Sequence, residues 1–347
     1  MSSNQISLVF ILLPFILVGQ SNTTNFSFAE IPNSPLSTSQ GSNMVASGIN
    51  DVLQPAVNPA YSDSTIDKNL QFSYLNYLSD INQTSLGYAQ MVDSVGLISG
   101  YFRFIDYGAF LETNEVGDEI GEFRSSEYEL GISLAKSYKD EISYGATLKQ
   151  LFSSFYQNYA YGIALDFGGY YQSENGLRMG VTIDNIGARL IDFNGNESSL
   201  MRPAINFGFS KRFSKAPLTF GIQYNNIETW DIAANDIDQS DNIMIDQLTG
   251  ETKRRTLTFD NLARHLNLSA IISPSEKFAI IAGFNFRRRL ELAAAQRPAL
   301  VGFSFGLQAK VKRFIIQYGL ASYHLNGAIN QLALSTNLNE WYSKKSK

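Results

Sequence analysis

The sequence contains no cysteine, only two histidines and only 17 % charged residues, and each scarcity disfavours a class of function. Without cysteine there is no disulfide framework, no thiol nucleophile and no thiolate metal site. With two histidines, most zinc sites and catalytic triads are also disfavoured. The formal net charge of −5 leaves no basic surplus for a nucleic-acid partner. We therefore predict a protein that is not an enzyme, needs no cofactor or metal and binds no nucleic acid.

The N-terminus has the pattern of a secretion signal. Residues 6–18 form an apolar run that only Ser7 and Pro14 interrupt, and polar residues follow Gly19. The run is too short to cross a bilayer as a helix, and no apolar run of about 18 residues follows it. Residues 1–5 lack the usual lysine or arginine, so a buried strand or helix stays open as an alternative. We predict a signal peptide over residues 1–19.

From about residue 70 onward, large apolar side chains alternate with small or polar ones. In the stretch 159–171, one set of alternate positions is large and apolar with tyrosine at both ends, and the other is small or carries Asp166. A period of two indicates β-strands. Tyrosines at both ends of an apolar row are typical of a lipid-facing strand between two aromatic girdles.

Fourteen such stretches can be delimited, which is an even number. A barrel of about eight strands can fill its interior with side chains, whereas fourteen strands enclose a wider lumen, so the apolar rows must face lipid. We predict an all-β fold, a transmembrane 14-stranded antiparallel β-barrel of the outer membrane; a soluble two-sheet sandwich remains the alternative. The predicted spans are 69–79, 82–91, 95–112, 127–138, 141–156, 158–172, 177–187, 203–213, 217–230, 265–274, 277–288, 299–312, 314–325 and 328–338.

The connections between these strands alternate in length. Those after even-numbered strands are short, and several after odd-numbered strands are long. Outer-membrane barrels have short periplasmic turns and long extracellular loops, so we expect periplasmic termini and extracellular long loops. The long connections are residues 113–126, 188–202, 231–264 and 289–298.

The predicted barrel occupies residues 69–338 and is flanked by two further segments. Residues 20–68 are rich in Ser, Asn, Pro and Ala without long alternation. We predict that they fold back as a hatch inside the lumen, because a 14-stranded barrel needs filling; a disordered leader is the alternative. Residues 339–347 form a short tail with a basic end.

Basic residues gather on the side of the predicted outer loops. Arginine binds phosphates and carboxylates through two parallel hydrogen bonds, so lipopolysaccharide or an acidic partner surface is a candidate ligand. The alternative is that these basic residues are solvated at the rim and pair with Glu251, Asp260 and Glu291. The cluster consists of Lys253, Arg254, Arg255, Arg264, Arg287, Arg288, Arg289 and Arg297.

Several short motifs suggest a family. Asn58-Pro59-Ala60, just before the first strand, resembles the signature that ends the hatch of FadL-like barrels. Seven further motifs, in order along the chain, resemble the PorV/PorQ branch of these barrels, which belongs to the type IX secretion system. These are Asp106-Tyr107-Gly108-Ala109-Phe110, Gly121-Glu122-Phe123, Asn185-Ile186-Gly187, Arg264-His265-Leu266-Asn267-Leu268, Gly283-Phe284-Asn285-Phe286-Arg287-Arg288-Arg289, Gly302-Phe303-Ser304-Phe305-Gly306 and Ser322-Tyr323-His324-Leu325.

The resemblance implies a non-enzymatic role in the complex that attaches secreted cargo to lipopolysaccharide. It implies a PorZ-like surface partner held by the outer loops, with PorU-like and PorV-like components in the same complex. The FadL resemblance also permits a transporter of hydrophobic small molecules, and a general porin is a third possibility. The inward-facing rows, mostly Gly, Ser, Asn, Gln and Glu, disfavour an apolar transport pocket.

Overall fold

The structure, a computed structural model, describes residues 26–139, 141–193, 198–230, 232, 243–245, 252–254, 258–292, 300–324 and 327–342. Fourteen long strands form one antiparallel sheet in which each strand pairs with its neighbours along the chain. The first strand pairs with the last, from Asn69 beside Asn337 to Asn76 beside Asn330, so the sheet closes into a barrel. The predicted fold class is confirmed.

The strands agree with the predicted spans at most of their ends. They are β1 (Asn69–Asn76), β2 (Asn82–Val92), β3 (Gly96–Thr113), β4 (Glu119–Tyr138), β5 (Ile142–Phe155), β6 (Asn158–Gln172), β7 (Leu177–Ile191), β8 (Ala204–Arg212), β9 (Leu218–Tyr224), β10 (Leu266–Ser275), β11 (Phe278–Asn285), β12 (Phe303–Val311), β13 (Phe314–His324) and β14 (Gly327–Asn337). A two-residue strand, Ser199–Leu200, pairs with the end of β7.

Several predicted boundaries are wrong by three residues or more, and three of them have identifiable reasons. The loop predicted over residues 113–126 is mostly strand, because β4 already begins at Glu119, where Ile120 and Phe123 are three residues apart and do not show the alternation of the rest of the strand. The ninth strand ends at Tyr224 rather than at residue 230, because the chain turns at Asn226, whose φ is 53°. The eleventh strand ends at Asn285, whose side chain accepts the Arg288 N–H at 2.9 Å and caps a helix.

The described residues also form four short α-helices, none of which is part of the barrel wall. They are α1 (Pro35–Ser39), α2 (Thr258–Arg264), α3 (Phe286–Leu292) and α4 (Asn339–Tyr342), and a small ribbon pairs Ile243–Ile245 with Thr252–Arg254. In the described part of the chain, no helix is long and apolar enough to cross a bilayer. The predicted signal peptide over residues 1–19 lies outside the described residues.

The outer surface of the barrel carries an apolar belt between two aromatic borders. At one end of β3 to β6, Phe104, Tyr128, Phe152 and Tyr159 form a row of neighbouring rings with centroids 4.9 to 6.1 Å apart. Tyr138, at the other end of β4, is 56 % exposed. Ten residues of a strand tilted by about 40° span about 26 Å, which matches an apolar band of about 25 Å.

The connections at the two ends of the barrel differ in length. At one end the strands are joined by residues 93–95, 139–141, 173–176, 213–217, 276–277 and 312–313, and at the other end three connections are much longer, at residues 192–203, 225–265 and 286–302. The predicted asymmetry is therefore present in the fold. We call the end with the long connections the long-loop end.

The N-terminal segment lies inside the barrel. Residues 26–68, hereafter the hatch, contain α1 and the 3-10 helices Ser27–Glu30, Gln54–Ala56 and Ser64–Ile66. Hydrogen bonds join the hatch to strands around the wall: Gln83 donates to the Pro32 carbonyl at 2.9 Å, and Ser304 donates to the Ser39 carbonyl at 2.8 Å. The Val45 N–H donates to Gln223 at 2.6 Å. These bonds satisfy the backbone of a segment with little regular structure.

The barrel interior is polar, with small apolar clusters between hatch and wall. Phe26 and Phe28 pack against Ile105 and Leu151 in one of these clusters. Fully buried polar residues line the inward face of the strands; among them are Gln71, Ser73, Gln83, Ser85, Ser133 and Thr147. The expectation that the inward-facing rows are polar is met.

Candidate functional site

The hatch leaves a cavity of about 510 Å³ inside the barrel, beside the long-loop end. Its lining includes Asn43 of the hatch, Asp184 of β7, Arg288 of α3, and Asn225 and Arg264, which flank the longest connection. The volume lies in the range of about 300–1,000 Å³ that is usual for small-molecule sites. Unlike most such sites, this cavity has many charged residues in its wall.

A buried ion pair lies on one side of the cavity. The Nζ of Lys149 on β5 is 2.7 Å from Oδ2 of Asp166 on β6, and both side chains are at most 6 % exposed. Lys149 also donates to the Asn185 side chain at 2.8 Å. The alternation along β5 and β6 points both residues inward, so the pair links two adjacent strands within the lumen.

A bulge in β7 brings two polar residues to the same wall. The pairing of β6 with β7 shifts between Leu165 and Phe167, and Asn185 has a φ of 64°. The Asn185 N–H donates to Asp166 at 2.7 Å. The neighbouring Asp184 carboxylate accepts hydrogen bonds from Thr182 at 2.9 Å and from Asn206 at 2.8 Å. The motif Asn185-Ile186-Gly187 therefore marks a backbone irregularity beside the cavity.

A second charged pair attaches the hatch to the wall. Nε of Arg103 lies 3.6 Å from Glu129, and the same guanidinium donates to the Phe28 carbonyl at 2.7 Å. Tyr101 donates to Glu129 at 2.7 Å. Arg103 is 1 % exposed, so its contacts are confined to the lumen. The arginine thus neutralises a buried carboxylate and holds the start of the hatch.

The predicted hatch motif follows the cavity-lining Val57 and contacts the wall at β5 and β6. Asn58 donates to the Val45 carbonyl at 2.9 Å and to the Gly169 carbonyl at 3.3 Å, while its own oxygen accepts the Ala60 N–H. A Cβ on Gly168 would lie 2.2 Å from Asn58 Oδ1, and one on Gly145 would lie 2.0 Å from the Pro59 carbonyl oxygen. Glycine at both positions permits Asn58-Pro59-Ala60 to touch the barrel backbone.

The structure distributes the predicted basic cluster over several places. Lys253 and Arg254 lie in the small ribbon, and Arg255 and Arg297 lie outside the described residues. Arg287, Arg288 and Arg289 do not end a strand but form part of α3. The prediction of their secondary structure was therefore wrong, although α3 does lie at the long-loop end. The use of these residues as a partner or lipopolysaccharide site stays a prediction.

Three of the arginines converge on the mouth of the cavity. Arg264 lies 2.9 Å from Asp260 and 3.3 Å from Glu291, with only 4 % of its side chain exposed. Arg287 lies 3.2 Å from Glu291 and is 42 % exposed. Arg288 stacks over the Tyr323 ring, with its guanidinium carbon 3.4 Å from the centroid, and donates to the Gly41 carbonyl at 2.8 Å. These side chains line the cavity on the side of α2 and α3.

Two sequence features that suggest catalysis have structural roles. The string Gly302-Phe303-Ser304-Phe305-Gly306 has the Gly-x-Ser-x-Gly spacing of a nucleophile elbow, but Ser304 lies within β12 rather than at a strand-to-helix turn. His265 is 1 % exposed, and its ring nitrogens lie 2.6 Å and 3.2 Å from the carbonyl oxygens of Asn225 and Trp230. Among the described residues, no group of three or more metal-binding side chains occurs.

The lumenal charges were not predicted as a site. Arg103, Glu129 and Asp166 occupy the small or polar positions of their strands, so the alternation alone marks them as inward-facing. Their pairing across strands depends on the register, which the sequence did not specify to the residue.

The fold is shared with solved outer-membrane channels. No protein-family model and no curated protein sequence matches the chain. A mutant of the TodX monoaromatic hydrocarbon channel has a TM-score of 0.50 at 12 % identity, over 88 % of this chain and 99 % of that chain. The Ralstonia pickettii toluene transporter TbuX has a TM-score of 0.48 at 12 % identity, over 88 % and 98 %. A Pseudomonas aeruginosa FadL homologue has a TM-score of 0.45 at 10 % identity, over 89 % and 99 %.

At such low identities the similarity shows the fold alone. The match to TodX identifies the architecture as a FadL-like 14-stranded barrel with an N-terminal segment, and the chain is an outer-membrane β-barrel. This confirms the prediction that the protein lies in the outer membrane. A channel fold also agrees with the prediction that the protein is not an enzyme.

Proposed function

We propose that the barrel is a membrane anchor that holds a surface protein on the β3–β4 hairpin. The observation that carries this proposal is the length of that hairpin. β3 has 18 residues and β4 has 20, whereas a barrel strand crosses the bilayer with about 9–11. Residues 107–126 therefore project beyond the aromatic border at Phe104 and Tyr128.

The projecting hairpin presents apolar side chains outside the lipid belt. Leu111 is 58 % exposed, Ile120 is 60 % exposed and Val116 at the tip is 86 % exposed. Phe110 stacks on Phe123 at 5.2 Å, which stiffens the two strands. Apolar residues gathered on a rigid projection are typical of a protein contact surface.

The filled lumen also favours an anchor. The hatch is bonded to strands on several sides of the barrel, and buried ion pairs such as Lys149–Asp166 line the remaining space. An apolar substrate gains nothing from desolvating such groups. An anchor needs no open path through the membrane, so a hatch of this kind does not impair it.

The motif resemblance supports a specific setting for the anchor. In that setting the chain belongs to the attachment complex of the type IX secretion system, and its hairpin and long loops hold a PorZ-like protein outside the cell. PorU-like and PorV-like components then attach cargo to lipopolysaccharide. The termini are periplasmic in this arrangement. The proposal assigns no chemistry to the barrel itself.

The test is affinity purification from native membranes in mild detergent, with wild type and a variant whose residues 110–122 are replaced by a two-residue turn. We expect a surface protein at about one copy per barrel with wild type and its loss with the variant. Shortening the turn at residues 173–176, at the other end, is the matched control. Equal recovery of the partner with all three proteins would contradict the role of the hairpin, and recovery of the barrel alone would contradict the anchor.

A second candidate is a transporter of hydrophobic small molecules. The fold comparison favours it, because TodX and TbuX are named as a monoaromatic hydrocarbon channel and a toluene transporter. It predicts toluene uptake into proteoliposomes above the rate of protein-free liposomes. Uptake at the protein-free rate, in liposomes with correctly inserted barrel, would exclude this function.

A further inference from the structure

The short turns of the barrel are charged unevenly. The three turns that join β2 to β3, β4 to β5 and β6 to β7 contain one basic and four acidic residues, which are Asp93, Lys139, Asp140, Glu141 and Glu174. The three turns that join β8 to β9, β10 to β11 and β12 to β13 contain four basic residues and one acidic residue, which are Lys215, Glu276, Lys277, Lys312 and Arg313. One half of this end of the barrel is therefore acidic and the other half is basic.

Backbone hydrogen bonds hold the three basic turns side by side. The Ser273 N–H of β10 donates to the Pro217 carbonyl at 2.7 Å, and the Lys310 N–H of β12 donates to the Lys277 carbonyl at 2.7 Å. The turns follow one another along the rim, because β8 to β13 are consecutive in the sheet. In the middle turn, the charges of Glu276 and Lys277 offset each other. We call the basic residues on both sides of it the basic arc; they are Lys211, Arg212, Lys215, Lys312 and Arg313.

The cations of the basic arc have no partner of opposite charge. Among the described residues of this rim, the one ion pair joins Lys310 to Glu340 at 3.6 Å, and no residue of the basic arc forms one. Lys211 donates to the Asn175 carbonyl at 2.9 Å, and Arg313 lies over the Trp341 ring, 5.0 Å from its centroid. Neither contact neutralises the charge. The basic arc is therefore available to an external anion.

Aromatic side chains place the basic arc at the membrane surface. Phe213 directly follows Arg212 and is 47 % exposed. Phe314 directly follows Arg313, and its ring packs on that of Trp341 with the centroids 5.7 Å apart. Aromatic rings at the ends of barrel strands lie at the level of the lipid headgroups. The neighbouring basic side chains therefore lie at the depth of the lipid phosphates, toward which their long stems can extend.

We propose that the basic arc binds the phosphate groups of anionic phospholipids, such as phosphatidylglycerol. Clusters of Lys and Arg beside a membrane-spanning segment attract anionic lipid, and a guanidinium donates two parallel hydrogen bonds to a phosphate. The acidic half of the same rim repels these lipids, so they gather on one side of the barrel. A soluble acidic protein could contact the turns but not the rings at the membrane border, which favours lipid as the partner.

This surface does not depend on the function proposed for the β3–β4 hairpin. The hairpin projects from one end of the barrel, and the basic arc lies at the other end. A failure of either proposal leaves the other intact.

Tryptophan fluorescence can test the proposal, because one of the two tryptophans lies at the basic arc. Trp341 packs on Phe314, whereas Trp230 lies in the longest connection at the long-loop end. The full-length Trp230→Phe protein is reconstituted into phosphatidylcholine vesicles that contain phosphatidylglycerol brominated on its acyl chains. A parallel sample contains brominated phosphatidylcholine at the same mole fraction. Bromine quenches a tryptophan that it approaches, so the quenching reports which lipid lies beside Trp341.

We expect brominated phosphatidylglycerol to associate with Trp341 at least about fivefold more strongly than brominated phosphatidylcholine, since each basic side chain near the surface contributes about a factor of five. Lys215→Gln/Lys312→Gln should lower this preference severalfold. The matched control, Lys136→Gln/Lys139→Gln, removes two exposed lysines from the acidic half of the same rim and should keep the preference. In a Trp341→Phe protein, the quenching of Trp230 should not distinguish the two lipids.

Equal quenching of Trp341 by the two brominated lipids would overturn the proposal and would leave an acidic protein as the partner of the basic arc. An equal loss of the preference in both double variants would also overturn it, because the basic arc would then have no special role. The comparison of the two lipids needs no lysine variant, so it remains decisive even if a variant fails to fold.

Discussion

Lys149 and Asp166 pair diagonally across β5 and β6, with 2.7 Å between the ammonium nitrogen and a carboxylate oxygen. The same carboxylate accepts the Asn185 N–H from the bulge of β7 at 2.7 Å. One ion pair therefore joins three consecutive strands from the inside of the barrel. Because the pair is almost completely buried, removing either residue would leave the other as an uncompensated buried charge.

Replacing the lysine should destabilise the barrel strongly. Lys149→Met leaves Asp166 buried without its counter-charge, which typically costs about 3–5 kcal/mol. We expect a clear fall in the urea midpoint of unfolding in detergent. The double variant Lys149→Met/Asp166→Leu should be less destabilised than the single one, because it leaves no isolated charge in this pair.

Lys277→Met is the control for the loss of a lysine, because Lys277 is exposed in a turn and should tolerate the change. A Lys149→Met midpoint equal to that of Lys277→Met would show that the buried pair contributes little.

The hatch should respond to a single methyl group at Gly168. A Cβ there would lie 2.2 Å from Asn58 Oδ1 and 2.7 Å from the Ala60 nitrogen, so Gly168→Ala should push the hatch motif off the wall. We expect higher ion conductance in planar bilayers, because a loosened hatch leaves a wider path. The adjacent Gly169→Ala is the matched control, since its Cβ would meet only a methyl carbon of Val181 at 3.2 Å. Equal conductance of the two variants would contradict this attachment of the hatch.

The hatch should also make the stability depend on pH. Asp51 is 3 % exposed, and burial raises the pKa of its carboxyl above the usual value of 3.8, although the Leu53 N–H donates to it. A raised folded pKa means that the protonated form favours the folded state. This contribution is fully present below the unfolded pKa and is lost as the pH rises through the folded pKa.

Asp51→Asn should therefore raise the melting temperature at pH 7.5, where the wild-type carboxyl must be charged or take up a proton to stay buried. The difference from wild type should shrink at pH 3.5, where both side chains are neutral. Thermal unfolding of the two proteins in detergent at both pH values measures this. A variant that melts below wild type at pH 7.5 would show that the charged carboxylate is stabilised in place.

The alternation of side chains and the number of strands were sufficient to predict the barrel, because one face of each strand meets lipid and the other meets the lumen. The stretch 158–172 was predicted to the residue for this reason. The start of β4, residues 119–126, was missed because Ile120 and Phe123 are three residues apart and do not fit a period of two. Helix α3 was missed because its cap, Asn285, also fits the end of a strand.

The site was harder to predict than the fold. Asn58-Pro59-Ala60 was found by resemblance, yet its contacts with Gly145 and Gly168 depend on how the hatch crosses the lumen. The basic residues were grouped by position along the chain, and only tertiary packing separates the compensated Arg264 from Arg288. Such differences lie in register and packing, which one sequence does not specify.

The most direct test of the anchor is photo-crosslinking in living cells from single positions on the barrel. A benzophenone side chain at Val116, at the hairpin tip, is compared with one at Ile132, which is 58 % exposed on the lipid belt of β4. We expect a discrete protein adduct from position 116 and none from position 132. Absence of an adduct at position 116, with the barrel folded in the outer membrane, would contradict it.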